Sequence, residues 1–136
     1  MPAPEEHGFL RVAVAAPELR VADVAYNARA TAAAMRELAA KGVRLAVFPE
    51  LGLTGYTCAD LFFQPSLRLA AAKAAVELAE TAHKLGLIAF VGLPVEASGR
   101  LYNCAAVLAE GRVWGLTPKS YLPNYGEFYE QRWFST

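Results

Sequence analysis

Two cysteines, two histidines and no excess of either charge leave this 136-residue chain short of the raw material for several common kinds of site. Cys58 and Cys104 form neither a metal-ligand spacing nor a disulfide framework, so no metal is expected and a reducing, cytoplasmic setting fits best. Thirteen basic and thirteen acidic side chains cancel, and no basic run occurs, which argues against nucleic acid or an anionic membrane surface as a partner. No apolar stretch is long enough to cross a bilayer. The first seven residues are Pro-rich and acidic, without the basic start and apolar run of a signal peptide. Repeats, low-complexity tracts and linkers are also missing. What the chain does have is 55% hydrophobic residues, ample for the core of one domain or part of one.

Hydrophobic periodicity lays out an α/β order. Residues 9–16 read as a strand, with Leu10, Val12 and Val14 on one face, ended by Pro17. Asp23 is the expected N-cap of a helix running to about Lys41, with an apolar stripe at Ala25, Ala28, Ala32, Met35 and Ala39 and a stop at Gly42. Residues 43–48 form a second strand, so the chain opens with a right-handed, parallel β–α–β unit. Residues 59–63 suggest a short helical turn, and Pro65 starts a long helix closed by Gly86. Residues 87–93, almost free of polar side chains and followed by Pro94, predict a strand in a sheet covered on both faces. Turns at Ser98-Gly99 and Glu110-Gly111 then set up an antiparallel meander over 101–109 and 112–116, so the sheet is mixed.

Two stretches carry chemistry. Leu45 to Phe48 run into Pro49 and Glu50, which sets a carboxylate just beyond a strand end, where α/β folds gather their reactive groups. Lys119, between Pro118 and the Ser120 Tyr121 Leu122 Pro123 run, leaves a strand on constrained backbone, so its ammonium is aimed. Each alone is more often a rim charge or a solvated loop lysine. A carboxylate and an ammonium delivered from separate strand ends can together move a proton and stabilise charge at one centre. Cys104 falls mid-strand, where a buried thiol is inert, and Cys58 is nearer the Glu50 loop and partly exposed on this reading.

In order and spacing, Phe48 Pro49 Glu50 Leu51 and Pro118 Lys119 Ser120 Tyr121 Leu122 Pro123 resemble the carbon–nitrogen hydrolase, or nitrilase, superfamily. Within it, His7 Gly8 Phe9, Leu53 Thr54 Gly55 Tyr56, Leu101 Tyr102 Asn103 and Tyr125 Gly126 Glu127 Phe128 Tyr129 Glu130 look most like the amino-terminal glutaminase domains of glutamine-dependent NAD synthetases. The resemblance implies an α-β-β-α sandwich, of which residues 9–136 form the first half after a tail at 1–8. It implies a Glu–Lys–Cys triad that hydrolyses glutamine and feeds ammonia to an ATP-dependent synthetase domain on the same polypeptide, in a homo-oligomer. By the same resemblance Glu50 and Lys119 are the first two triad members and Glu130 positions the lysine. Tyr125 holds glutamine, and Tyr56 and Phe128 line its pocket. ATP and magnesium belong to the synthetase domain, with no cofactor in this chain.

The family's cysteine follows a further strand that residues 1–136 do not contain, so the chain alone is expected to be inactive. Two other readings stay open: a stand-alone amidase of the same superfamily, and a non-catalytic interaction module. The aromatic run Tyr121, Tyr125, Phe128, Tyr129, Trp133 and Phe134 is expected to lack packing partners within the chain.

Overall fold

In the computed structural model, which describes residues 7–136, five strands form one mixed sheet in sequence order. Residues 1–6 of the expected tail lie outside the described residues. The order is β1 (Val12–Val14), α1 (Val24–Ala40), β2 (Leu45–Val47), α2 (Pro65–Lys84), β3 (Ile88–Ala97), β4 (Arg100–Ala109) and β5 (Arg112–Pro118). Short 3-10 turns at Ala59–Phe63 and Glu130–Arg132 complete it. β1 pairs with β2 and β2 with β3 in parallel, and β3–β4–β5 is the expected antiparallel meander. Both hairpins turn through two residues with positive φ, Ser98 (50°) and Gly99 (70°), then Glu110 (51°) and Gly111 (77°). These are the mirror-image turns whose twist suits a hairpin.

The helix boundaries follow local chemistry. Asp23 caps α1 by accepting the Tyr26 N–H at 2.9 Å, and Gly42, at φ 75°, ends it. The stripe differs from the apolar one expected, because the buried positions are Val24, Asn27, Thr31 and Met35. Two of the four are polar, and the Asn27 amide bridges the Arg20 and Leu53 carbonyls, so hydrogen bonding fixes this face where the alanine pattern pointed elsewhere. On α2 Leu67, Ala71, Ala74, Leu78 and Ala82, which recur at helical spacing, are buried.

Three strands differ in length from the sequence reading by three residues or more. β1 and β2 pair over three residues each, since β1 lies at the sheet edge and Val43 still bonds back to the Leu38 carbonyl of the α1 cap. β3 runs through Pro94, because its parallel partner β2 has already ended opposite Phe90 and no ladder hydrogen bond is needed on that side.

The layers explain where a site can form. α2 lies on β3, β4 and β5, and α1 packs beside α2. Ala46, Ala89, Val91, Leu93, Ala106 and Leu108 are buried against the helices. The opposite face carries Val12, Val14, Val47 and Ile88, all exposed, so among the described residues this face is open over β1, β2 and the start of β3, where cover on both faces was expected. The aromatic end is better packed than expected. Phe134 is buried with its ring 5.0 Å from that of Phe62, and Trp133 lies 5.7 Å from the same ring. Tyr121, Tyr125 and Tyr129 remain exposed.

Candidate functional site

Pro49 ends the extended backbone after β2, and the chain folds back across the open sheet face in a tight turn. Gly52 donates to the Pro49 carbonyl, Thr54 and Gly55 to that of Leu51, and Leu53 reaches over to the Gly92 carbonyl of β3. This crossing needs a glycine. A Cβ on Gly92 would stand 2.3 Å from the Leu51 nitrogen and 2.7 Å from the Pro49 oxygen. The loop thus rests directly on β3 and holds the Glu50 carboxylate over the sheet.

Lys119 arrives from the other side. β5 stops pairing at Pro118, and the Lys119 N–H adds one more bond, 2.8 Å to the Asn103 carbonyl of β4. Its ammonium lies 2.7 Å from Glu50 Oε1 and 2.9 Å from Glu130 Oε1. Glu130 comes from the last 3-10 turn, fixed by its own N–H to the Pro123 carbonyl, and is 1% exposed. The Tyr56 hydroxyl donates to Glu130 Oε1 at 2.7 Å, and the Asn103 amide donates to Glu50 Oε1 at 2.6 Å. One hydrogen-bonded chain therefore runs Asn103, Glu50, Lys119, Glu130, Tyr56. Glu130 Oε2 is enclosed and finds no partner among the described residues, so Lys119 is the principal compensation for that buried charge.

The electrostatics match the geometry. Burial by itself would lower the Lys119 pKa, but the hydrogen bonds it donates to Glu50 and Glu130 outweigh it and the ammonium titrates above its ordinary 10.5. Burial, reinforced by the Glu130 carboxylate, holds the Tyr56 phenol well above its ordinary range, so it stays a donor. A concavity of about 620 Å³ opens on the uncovered face beside this chain, lined by Val47, Glu50, Phe90, Asn103, Thr117 and Lys119 among others. A second, of about 400 Å³, joins Lys119 to Tyr121 and Tyr125.

The six site residues that the resemblance implies, Glu50, Lys119, Glu130, Tyr56, Tyr125 and Phe128, gather in this region by different routes. Glu50, Lys119 and Glu130 meet directly. Tyr56 engages Glu130 through its hydroxyl, and its ring stands edge-on to Phe128, which in turn stands edge-on to Tyr125. The cysteines take no part in the hydrogen-bonded chain, although Cys104 belongs to the strand that lines the concavity. Cys58 is buried, not partly exposed, and gives its thiol to the Thr54 carbonyl at 3.1 Å. Cys104 stands opposite Leu93 on the helix-covered face, whereas its neighbour Asn103, opposite Pro94, shares the face of the site. Burial raises both thiols, which makes them poorer nucleophiles. The sequence reading gave no role to Asn103 or Gly92. A buried asparagine on an otherwise apolar strand is a readable signal for the first, but the close backbone approach at Gly92 is visible only in three dimensions.

Among the described residues no group of three or more His, Cys, Asp or Glu side chains is placed to hold a metal ion, and no helix is long and apolar enough to cross a membrane. The position between Glu50 and Glu130, where two carboxylates would bracket a cation, is filled by the ammonium of Lys119.

Residues 11–135 match the family described as carbon-nitrogen hydrolase. The chain is 42% identical over 127 residues to the glutamine-dependent NAD(+) synthetase of Mycobacterium tuberculosis, covering 93% of this chain and 19% of that protein. It is similar in structure to a glutamine-dependent NAD(+) synthetase from Cytophaga hutchinsonii, with a TM-score of 0.88 and 32% identity over 93% of this chain and 21% of that one. A mutant amidase of the nitrilase superfamily from Nesterenkonia AN1 gives a TM-score of 0.79 at 25% identity, over 93% of this chain and 47% of that one. The helix layer and mixed sheet match the first half of the nitrilase-type fold. The chain spans about a fifth of the length of the curated relatives it matches.

Proposed function

The chain belongs to the carbon–nitrogen hydrolase family, and from that premise we propose that it carries the Glu50–Lys119 part of a glutaminase site that releases ammonia for a synthetase domain on the same polypeptide. The observation that carries this reading is the Lys119 ammonium held between Glu50 and Glu130 at the rim of an apolar concavity. An ammonium has three protons to donate, and two are spent on carboxylates. The third is free to meet the oxyanion that develops when a thiol attacks an amide carbonyl. Glu50, with a side chain 43% exposed, is reachable by a substrate and serves as the base. Tyr125, Tyr56 and Phe128 form the aromatic wall on which glutamine would rest.

Neither cysteine of this chain suits the attack, since each is buried and its thiol is raised by that burial. On this reading the thiol comes from the chain beyond residue 136 and residues 1–136 alone are inactive. Glutamine as substrate is supported by the shared description of the synthetases to which the chain is similar. ATP and magnesium would serve the synthetase domain, and the carboxylates here are already bridged by Lys119.

Ammonia release from glutamine and NAD synthesis by the complete polypeptide test the reading. Lys119→Ala and Glu50→Gln should each lower the glutamine-driven rate by about a hundredfold or more, equivalent to ~3 kcal/mol. Synthesis driven by added free ammonia should survive both, because it bypasses this site. A Lys119→Ala rate within about threefold of the parent would overturn the assignment, as only a solvated lysine costs so little.

A further inference from the structure

We propose that Asn103 is a positioning residue for Glu50, one that reserves a single oxygen of that carboxylate for proton transfer; this deepens the glutaminase reading and rests on it. Asn103 touches both ends of the charge pair. Its side-chain amide donates to Glu50 Oε1 at 2.6 Å, and its backbone carbonyl accepts the Lys119 N–H at 2.8 Å. It is 4% exposed and sits in the interior of β4, opposite Pro94, beneath the loop that crosses Gly92. A strand residue paired on both sides cannot shift its backbone, so the amide is a fixed point to which the more exposed carboxylate is tied.

Both donors to Glu50 converge on one atom. Asn103 and Lys119 each bond Oε1, at 2.6 Å and 2.7 Å. A carboxylate oxygen that accepts two such bonds has little lone-pair density left, whereas Oε2 keeps both of its lone pairs. Without the amide, the carboxylate would pivot about its one link to Lys119 and either oxygen could take either role. With it, the roles separate: Oε1 anchors and Oε2 reacts.

The proton inventory then closes on one atom. As the cysteine thiol of the complete site attacks the amide carbonyl, the S–H bond breaks, an O–H bond forms at Oε2, and an S–C bond forms. As the tetrahedral adduct collapses, the C–N bond breaks and the Oε2 proton passes to the departing nitrogen, which leaves as ammonia. Water then attacks the thioester carbonyl, its O–H bond breaking toward Oε2 as a C–O bond forms; as that adduct collapses the S–C bond breaks, the Oε2 proton returns to the sulfur, and the acid is released.

The plain alternative is that Asn103 is a buried amide that has found a partner and contributes to folding alone. The two differ in what they do to turnover. In the complete polypeptide, Asn103→Leu keeps the approximate volume and removes the donor. We expect glutamine-driven kcat to fall about ten- to a hundredfold, the range for a misaimed reacting group, while KM stays within about twofold. Ammonia-driven synthesis should be unchanged. Asn103→Asp has the same shape but no N–H to give, and should lose turnover likewise if Asn103→Leu does not fold. A double substitution separates action through Glu50 from a structural role: in a Glu50→Ala background, adding Asn103→Leu should change the residual rate by less than about twofold. A single-variant kcat within about twofold of the parent, or a full extra loss in the Glu50→Ala background, would overturn the inference while leaving the glutaminase reading intact. Undiminished activity in Glu50→Ala itself would overturn that reading, and this inference with it.

Discussion

Tyr56 and Glu130 stand 74 residues apart in sequence and share a hydrogen bond of 2.7 Å. The bond ties the loop after β2 to the last turn of the chain and supplies a donor to a carboxylate that is otherwise enclosed. Tyr56→Phe should therefore destabilise the fold by about 1.5–3 kcal/mol, the usual worth of a hydrogen bond to a charged group, measurable in a urea melt. A loss below about 0.5 kcal/mol would mean that Lys119 alone satisfies Glu130.

The same bond predicts an alkaline weakness. Tyr56 and Lys119 both hold their protons more tightly folded than unfolded, above their ordinary values of 10.0 and 10.5. A folded pKa that is raised gives stability that is complete below the unfolded pKa and lost as pH climbs toward the folded one. Thermal midpoints measured from pH 8 upward should hold steady and then fall beyond about 10. Tyr56→Phe should flatten part of that fall. An unchanged slope in the variant would assign the whole effect to other groups.

Gly92→Ala tests the crossing of loop and strand. The added methyl would meet the Leu51 nitrogen at 2.3 Å and the Pro49 oxygen at 2.7 Å, both backbone atoms that cannot rotate away. The loop must lift and carry Glu50 with it. We expect a cost of about 1–3 kcal/mol, as for overpacking elsewhere, and a loss of glutamine-driven turnover larger than stability alone explains. Ammonia-driven synthesis, measured in parallel on the complete polypeptide, should be spared. Full glutamine-driven turnover would show that the loop has another way to seat the carboxylate.

The two thiols should be dispensable. Cys58→Ala and Cys104→Ala in the complete polypeptide should keep glutamine-driven activity within about threefold, apart from a modest loss of stability, because each is a small buried hydrophobe. The isolated 136-residue chain should release no ammonia from glutamine. If it did, and the activity vanished in either cysteine variant, the nucleophile would lie in this chain after all.

The uncovered sheet face should be adhesive. Val14, 85% exposed, Val12 and Val47 lie on it side by side across β1 and β2. Purified alone, the chain should scatter light as dimers or larger species, and Val14→Lys should shift it toward monomer. A monodisperse parent that melts cooperatively would show that this face needs no cover.

Much of the architecture was legible along the chain because its signals are local. Asp23 and Gly42 bound the first helix, Pro65 and Gly86 the second, and Gly99 and Gly111 announce their hairpins through the positive φ that glycine adopts most readily. Glu50 and Lys119 stand out for the same reason: prolines beside each mark a strand end that aims a side chain. Tertiary structure decided what depends on distant neighbours. It tied Glu130 to Tyr56, gave Asn103 a carboxylate to hold, and made Asn27 a core residue, because a polar side chain is buried where a partner from elsewhere in the chain awaits it. It carried β3 through Pro94, since only the ending of β2 removes the need for a donor there. Strand alternation puts Cys104 and Asn103 on opposite faces, but tertiary structure decided what covers each face, so that burial against helices silences one and the Glu50 loop engages the other. Residue type proposed the chemistry, and the packing of strand, loop and last turn determined which atoms meet.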